Sequence, residues 1–161
     1  MTDPRETIPI ASDHAGFELK GKLIPQLEKM GYAVQDLGTH SEDSSDYPDY
    51  AHPLAEEVSR GQAKRGILLC GSGVGVDIVA NRHPHVRAAL SWMPEIAELS
   101  RKHNDSNVLV IPARFVSDYE AAEIVDKWIN TKFEGGRHAR RVDKIDHDNA
   151  ESLDQGDGNA S

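Results

Sequence analysis

A single cysteine, Cys70, in 161 residues leaves no partner for an internal disulfide and suits a reducing cytoplasm. No apolar run approaches the roughly 20 residues of a membrane span, so no membrane association is expected. The opening Met1-Thr2-Asp3-Pro4-Arg5-Glu6 lacks the basic start and apolar segment of a secretory signal. Nor is there a basic excess: the net charge of −9 argues against a nucleic-acid surface. The acids crowd toward the end, where six of them from Asp143 onward face one base, Lys144. These features predict a single domain over residues 1–146, long enough for a sizeable core, and an acidic C-terminal tail over 147–161.

Several ligand signatures are incomplete. Residues Gly16 to Lys22 match the first seven positions of a nucleotide-binding P-loop. Leu23 then stands where magnesium binding needs Ser or Thr, and the segment reads as amphipathic helix. Gly71, Gly73 and Gly75 lack the dinucleotide spacing and follow the third strand candidate rather than the first. No arginine follows Cys70 closely enough to hold the phosphate of a cysteine-based phosphatase. The eight histidines show no paired-ligand motif, and His83-Pro84-His85 reads as a surface turn, so no metal is expected.

What is present is an alternation of strand and helix signals. Strand candidates lie at Thr7–Ser12, Tyr32–Leu37, Ile67–Leu69, Val86–Ser91 and Asn107–Pro112. Pro9 favours an edge position or a strand start for the first. Phe17, Leu23, Ile24, Leu27 and Met30 form a helical stripe that Pro25 should kink or loosen in its middle. Gly38–Asp49 reads as a polar loop, and a helix is expected from about Tyr50 to Arg60. Further helices are expected from Val76, from Pro94 to about His103, from Ser117 or Asp118 to Lys132, and from Arg137 to Ile145. Tyr119, Ala122, Ile124, Val125, Trp128 and Ile129 are assigned to the apolar face of the helix that ends at Lys132. Together they predict an α/β, Rossmann-like three-layer sandwich: a five-stranded, mostly parallel sheet with helices on both faces. Ligands in such sheets sit beyond the carboxyl ends of the strands, where Ser12-Asp13-His14, Cys70-Gly71-Ser72 and Ser91-Trp92 all fall.

The third strand runs its cysteine into Gly71-Ser72-Gly73-Val74-Gly75. Alternate glycines let successive N–H groups point at one spot, so the turn suits an anion, and a thiol there should ionise readily. A tight structural turn around a buried cysteine is the other reading. As a site, it unites two contributions to removing a proton next to a carbonyl. A general base supplies roughly 10²–10⁴-fold. One well-aimed donor to the developing oxyanion is worth about 3–4 kcal/mol. Arg137 and Arg141, four apart on one helical face, suit a phosphate or an ordinary charged helix end.

Five segments taken together resemble the type B ribose-5-phosphate isomerases, whose family also holds galactose-6-phosphate isomerase. They are Ser12-Asp13-His14-Ala15-Gly16, Asp46-Tyr47-Pro48, Cys70-Gly71-Ser72-Gly73-Val74-Gly75, Ser100-Arg101-Lys102-His103-Asn104-Asp105 and Glu134-Gly135-Gly136-Arg137-His138, spread over about residues 8 to 145. The resemblance implies an aldose–ketose isomerase that works through a cis-enediolate with neither metal nor cofactor. By the same resemblance Cys70 is the base, Ser72 assists proton transfer, and Gly71, Gly73 and Gly75 form the anion hole. His103 opens the furanose ring with Asp13 nearby, Asn104 holds sugar hydroxyls, and Tyr47 lines the pocket. His14, Arg137 and Arg141 bind phosphate, with Arg114 as a helper. The family's sites sit between the subunits of dimers or tetramers, so the arginines are expected to act across an interface.

The chain departs from the family pattern at Trp92-Met93-Pro94-Glu95-Ile96, where relatives carry smaller, more polar residues. Packed in the core, Trp92 changes nothing. Set against the pocket, it shortens the sugar that fits and makes a tetrulose 4-phosphate a candidate. Ribose 5-phosphate is the first expectation for the substrate, and galactose 6-phosphate is a further alternative. A non-catalytic sugar-phosphate-binding protein is the rival of another class, but binding alone needs neither Cys70 nor His103.

Overall fold

The structure, a computed structural model, describes residues 3–146. The acidic tail expected over 147–161 lies outside the described residues. Five strands form one sheet: β1 (Thr7–Ser12), β2 (Ala33–Asp36), β3 (Gly66–Cys70), β4 (Ala88–Leu90) and β5 (Val108–Pro112). Their order is β2-β1-β3-β5-β4, and every pairing is parallel. Six α-helices connect and follow them: α1 (Phe17–Lys29), α2 (Tyr47–Ser59), α3 (Val74–Ala80), α4 (Pro94–Asn104), α5 (Asp118–Asn130) and α6 (Arg137–Asp143).

The central strands are apolar throughout because both faces are covered. Ile8, Ile10, Ile67, Leu69, Leu109 and Ile111 face Leu19, Leu23 and Leu27 of α1 and Ile124, Val125 and Trp128 of α5. The alternate strand residues, Ala11, Leu68, Cys70, Val108 and Val110, face Ala51, Leu54, Ala55 and Val58 of α2 and Val76 and Ala80 of α3. Period-two alternation thus feeds two cores from one set of strands. After β1 the chain turns to one side to make β2, then returns to the other side of β1 to make β3. Such a reversal parts the loops beyond the carboxyl ends of β1 and β3 and opens a crevice between them.

Several local expectations need correction. Pro9 does not lie on an edge, since β1 is flanked by β2 and β3. Leu37 N–H donates to Ile10 O and Ser12 N–H to Gly38 O, so the even-numbered residues bond toward β2. Pro9 faces the other way, and the pairing with β3 begins only at Ile10, so the missing N–H has no ladder position to vacate. Helix α1 runs through Pro25, and the carbonyl left without its donor belongs to Gly21, an exposed position open to water. Helix α2 begins three residues earlier than expected, at Tyr47, with Pro48 in its first turn. Tyr119 is 72% exposed, because the buried stripe of α5 runs through Ala121, Ile124, Val125 and Trp128 and leaves position 119 on the opposite side. Ser117 rather than Asp118 caps that helix, accepting from Glu120 N–H while Glu120 Oε1 accepts from Ser117 N–H.

Candidate active site

The carboxyl ends of β1, β3 and β5 meet around a cavity of about 340 Å³. Its walls carry Asp13 and His14 after β1, Cys70 to Ser72 after β3, and Arg114 and Phe115 after β5. Tyr47 and Gly75, from the first turns of α2 and α3, close it. Cys70 is 4% exposed, the last residue of its strand, with its side chain on the α2–α3 side of the sheet.

Each glycine of the turn makes room for something specific. A Cβ on Gly75 would stand 2.7 Å from the Tyr47 ring, so glycine is what lets the tyrosine lie against α3. Gly73 caps α3 with φ +77°, and a Cβ there would strike Leu90. At Gly71 a Cβ would crowd Arg114 Nη1 at 3.1 Å, so the guanidinium lies over the turn. Ala113 N–H donates to Cys70 O at 2.9 Å and Arg114 N–H to Gly71 O at 3.0 Å, tying the end of β5 to the same place.

The turn is rich in unspent donors. Val74 N–H donates to Ser72 Oγ at 3.2 Å, leaving the Ser72 hydroxyl hydrogen free to donate elsewhere. Among the described residues, the N–H groups of Gly71, Ser72, Gly73, Gly75 and Val76 donate to no protein acceptor. Such a cluster of converging amides is suited to an oxyanion.

His14 and Asp13 are oriented by the loop and turn around them. His14 N–H donates to Ser45 Oγ at 3.1 Å, and Ser45 N–H donates to His14 Nδ1 at 3.2 Å. An Nδ1 that accepts leaves the ring proton of the neutral imidazole on Nε2, so His14 presents a donor. Asp13 is buried and caps the short 3₁₀ turn His14–Gly16, its Oδ1 accepting from Ala15 and Gly16 N–H at 3.0 and 3.3 Å. The loop holding Ser45 is anchored by a buried lysine: Lys20 Nζ donates to Asp36 Oδ1 at 2.5 Å and to Thr39 O at 2.8 Å. Burial works against the Asp36 charge, but Lys20 and the Gly38 N–H hold its carboxyl below the usual carboxylate range.

The structure therefore gathers Asp13, His14, Tyr47, Cys70, Gly71, Ser72 and Gly75 in one cavity, with Gly73 in its turn. It does not bring His103, Asn104, Arg137 or Arg141 there. Helix α4 starts beyond the carboxyl end of β4 and ends just before β5, so His103 and Asn104 lie at the amino ends of the strands. Eleven residues of helix put them about 16 Å along α4 from its start. Helix α6 packs on α4, with the His138 ring stacked on His103 at 4.3 Å and Glu134 N–H donating to Lys102 O at 3.1 Å. Burial, then the neighbouring His103 and Arg137, pushes the His138 pKa down from its ordinary value. His103, Glu134 and His138 bring nitrogen and oxygen atoms within 4.8 Å of one another, a cluster no local motif announced. The rings are within 14° of parallel, so their in-plane lone pairs do not converge on one point.

Two residues stand out beyond the main expectations. Arg114 takes a full place in the cavity wall; its signal was its position just past the end of a strand, as for Cys70. Phe115, 74% exposed, had no signal in the sequence. Trp92 is 51% exposed, so it is no core residue. It lines a neighbouring cavity of about 610 Å³ with Leu90, Met93 and Pro112, which meets the first at Ser72 and Phe115.

The family model for ribose/galactose isomerases matches residues 8–145. The chain belongs to that family. Ribose-5-phosphate isomerase B of Escherichia coli is 44% identical over 138 residues, 86% of this chain and 93% of that protein. A ribose 5-phosphate isomerase structure from Thermotoga maritima superposes with a TM-score of 0.85 at 49% identity, covering 89% of this chain and 99% of that one. Ribose-5-phosphate isomerase B from Mycoplasma genitalium, solved with bound ribulose-5-phosphate, has a TM-score of 0.84 at 42% identity over 91% of this chain and 96% of that one. As a member of the ribose/galactose isomerase family, the chain is an aldose–ketose isomerase of sugar phosphates. None of its described helices is long and apolar enough to cross a membrane.

Proposed function

We propose that this isomerase interconverts ribose 5-phosphate and ribulose 5-phosphate in the cytoplasm, with residues 1–146 as the catalytic unit. The observation that carries the reading is the placement of the Cys70 thiol at the base of a turn with five uncommitted N–H groups, facing His14 and Arg114 across one cavity. Cys70 as thiolate takes the proton from C2 of the open-chain aldose. The C–H electrons form the C1–C2 double bond, and the carbonyl oxygen becomes an oxyanion held by the turn. Ser72 passes the hydroxyl proton between O2 and O1, and the proton on Cys70 returns to C1, giving the ketose without net redox change. His14 Nε2–H and Arg114 hold the phosphate.

Ring opening requires moving a proton from the anomeric hydroxyl to the ring oxygen, a step assigned to His103 with Asn104 steadying the hydroxyls. Those residues and Arg137 and Arg141 lie at the far end of the sheet in one chain. A second copy of the chain therefore supplies them, and the working unit is at least a homodimer with composite sites. The exposed wall of Trp92, Met93 and Phe115 beside Ser72 favours a second reading, in which the sugar is a shorter tetrulose 4-phosphate.

Turnover across tetrose, pentose and hexose phosphates separates these readings. The pentose is expected to give the highest kcat/KM. A preference for the tetrose would transfer the assignment to the shorter sugar, and binding without turnover of any of them would make the chain a sugar-phosphate binder.

A further inference from the structure

Another cavity, of about 720 Å³, opens at the other end of the sheet. The residue immediately before each strand lines it: Glu6, Tyr32, Arg65, Arg87 and Asn107. Arg101 from the last turn of α4 and the exposed Lys64 and Lys132 complete a wall with five cations against two carboxylates, Glu6 and Asp105, in a chain whose net charge is −9.

The three arginines differ in how much of their hydrogen-bonding capacity the fold consumes. Arg65 is spent on structure: it donates to both oxygens of Glu6 at 2.7 and 3.2 Å, to Ile129 O at 3.1 Å and to Tyr32 Oη at 3.2 Å. Arg101 donates from Nε to Thr131 O at 3.1 Å and from Nη1 to Asp105 Oδ1 at 2.9 Å and Ser106 O. Its Nη2 has no acceptor among the described residues. Arg87 donates from Nε to Asp105 O at 2.8 Å and from Nη1 to His85 O at 3.4 Å. Its Nη2 stands 3.6 Å from Asp105 Oδ2, and Asp146 lies 3.8 Å from its Nη1. Asp105 thus sits between the two guanidinium groups and Asp146 stands beside Arg87, so the surplus positive charge of the wall comes from Lys64 and Lys132, while Nη2 of Arg101 keeps an open donor. Side chains of Arg87 and Arg101 are 19% and 14% exposed, so both are held rigidly before any ligand arrives. Preorganised guanidinium edges with open donors recognise phosphate oxygens, and flanking lysines add charge for a second phosphate.

We propose that this cavity is a binding site for a phosphorylated polyanion, a diphosphate or the polyphosphate of a nucleotide, separate from the Cys70 cavity. It has a route to activity, because Arg101 lies two residues before His103 in the same turn of α4. The binding claim does not depend on the catalytic assignment of His103.

The test uses the intact protein and inorganic pyrophosphate, followed by calorimetry and thermal shift. Wild type is expected to bind, and Lys64→Glu with Lys132→Glu to weaken binding about tenfold or more while sugar-phosphate turnover without pyrophosphate is unchanged. Arg114→Ala, which alters only the Cys70 cavity, is expected to keep the pyrophosphate affinity. No binding at millimolar pyrophosphate overturns the proposal. So does affinity lost in Arg114→Ala and kept in the double lysine variant, which would place pyrophosphate in the catalytic phosphate pocket alone.

Discussion

Two acidic or acid-prone side chains within eight residues of each other show how position decides chemistry. Cys70 ends a strand at the cavity, and Cys70→Ala is expected to lower kcat by about 10³-fold while leaving substrate affinity within a fewfold. Isotope exchange at C2 in that variant at the parent rate would show that another group is the base. Asp77, one turn into α3, has Oδ1 buried without a partner, and burial raises its pKa to about 6 in spite of hydrogen bonds from Asn81 and the Leu90 backbone. The folded state therefore binds this proton more tightly than the unfolded chain, whose Asp titrates near 4. Stability falls as pH rises from about 4 to about 6, and the penalty persists above that window. Asp77→Asn is expected to raise Tm above pH 6 and to leave it unchanged near pH 4. A Tm difference that is the same at both pH values would mean that the carboxylate is not charged at a cost there.

Two elements set the shape of the cavity without touching the reacting carbons. Gly75 in the first turn of α3 admits the Tyr47 ring, so Gly75→Ala is expected to displace the ring rather than unfold the helix. Stability should change by less than about 1 kcal/mol, since alanine is the better helix former, while kcat/KM falls about tenfold. Equal kcat/KM would show that Tyr47 does not position the sugar. The loop between β2 and α2 depends on Lys20, which is 1% exposed on α1 and reaches both Asp36 and Thr39 O. Removing one member of a buried pair strands the other, so Lys20→Met is expected to cost about 2–3 kcal/mol in urea unfolding. The same variant should raise KM, because the loop carries the Ser45 that orients His14.

At the scale of the whole molecule, the groups proposed to carry the reaction lie at opposite ends of one sheet. Cys70, His14 and Arg114 stand beyond the carboxyl ends of the strands, while His103, Asn104, Arg137 and Arg141 stand near the amino ends. If sites form between copies, Cys70→Ala and His103→Ala are each inactive alone but complement each other. Refolded together in equal amounts, they are expected to recover about a quarter of wild-type activity, since half of the dimers are mixed and each mixed dimer holds one intact site. No recovery from a mixture shown to contain mixed dimers would confine each site to one chain.

Much of the fold is written in local pattern. Continuous apolar runs mark strands covered on both faces, and 3.6-residue stripes mark the helices; both are properties of short segments, so a sequence shows them directly. The same holds for the Cys70 turn, because strand, cysteine and spaced glycines follow one another along the chain. Strand order is not local. That β1 lies inside the sheet, and that Pro9 is harmless there, depends on which neighbours the chain returns to and on the point where pairing with β3 begins. Trp92 and Tyr119 are large and apolar yet exposed, a fact settled by which side of each element the core occupies. By itself the sequence determined which residue types are available for proton transfer and phosphate binding, and the parallel α/β class that would carry them. Only the tertiary structure decided that Cys70 and His103 fall at opposite ends of the sheet, because the direction of each strand and helix sets the end at which its last residue arrives.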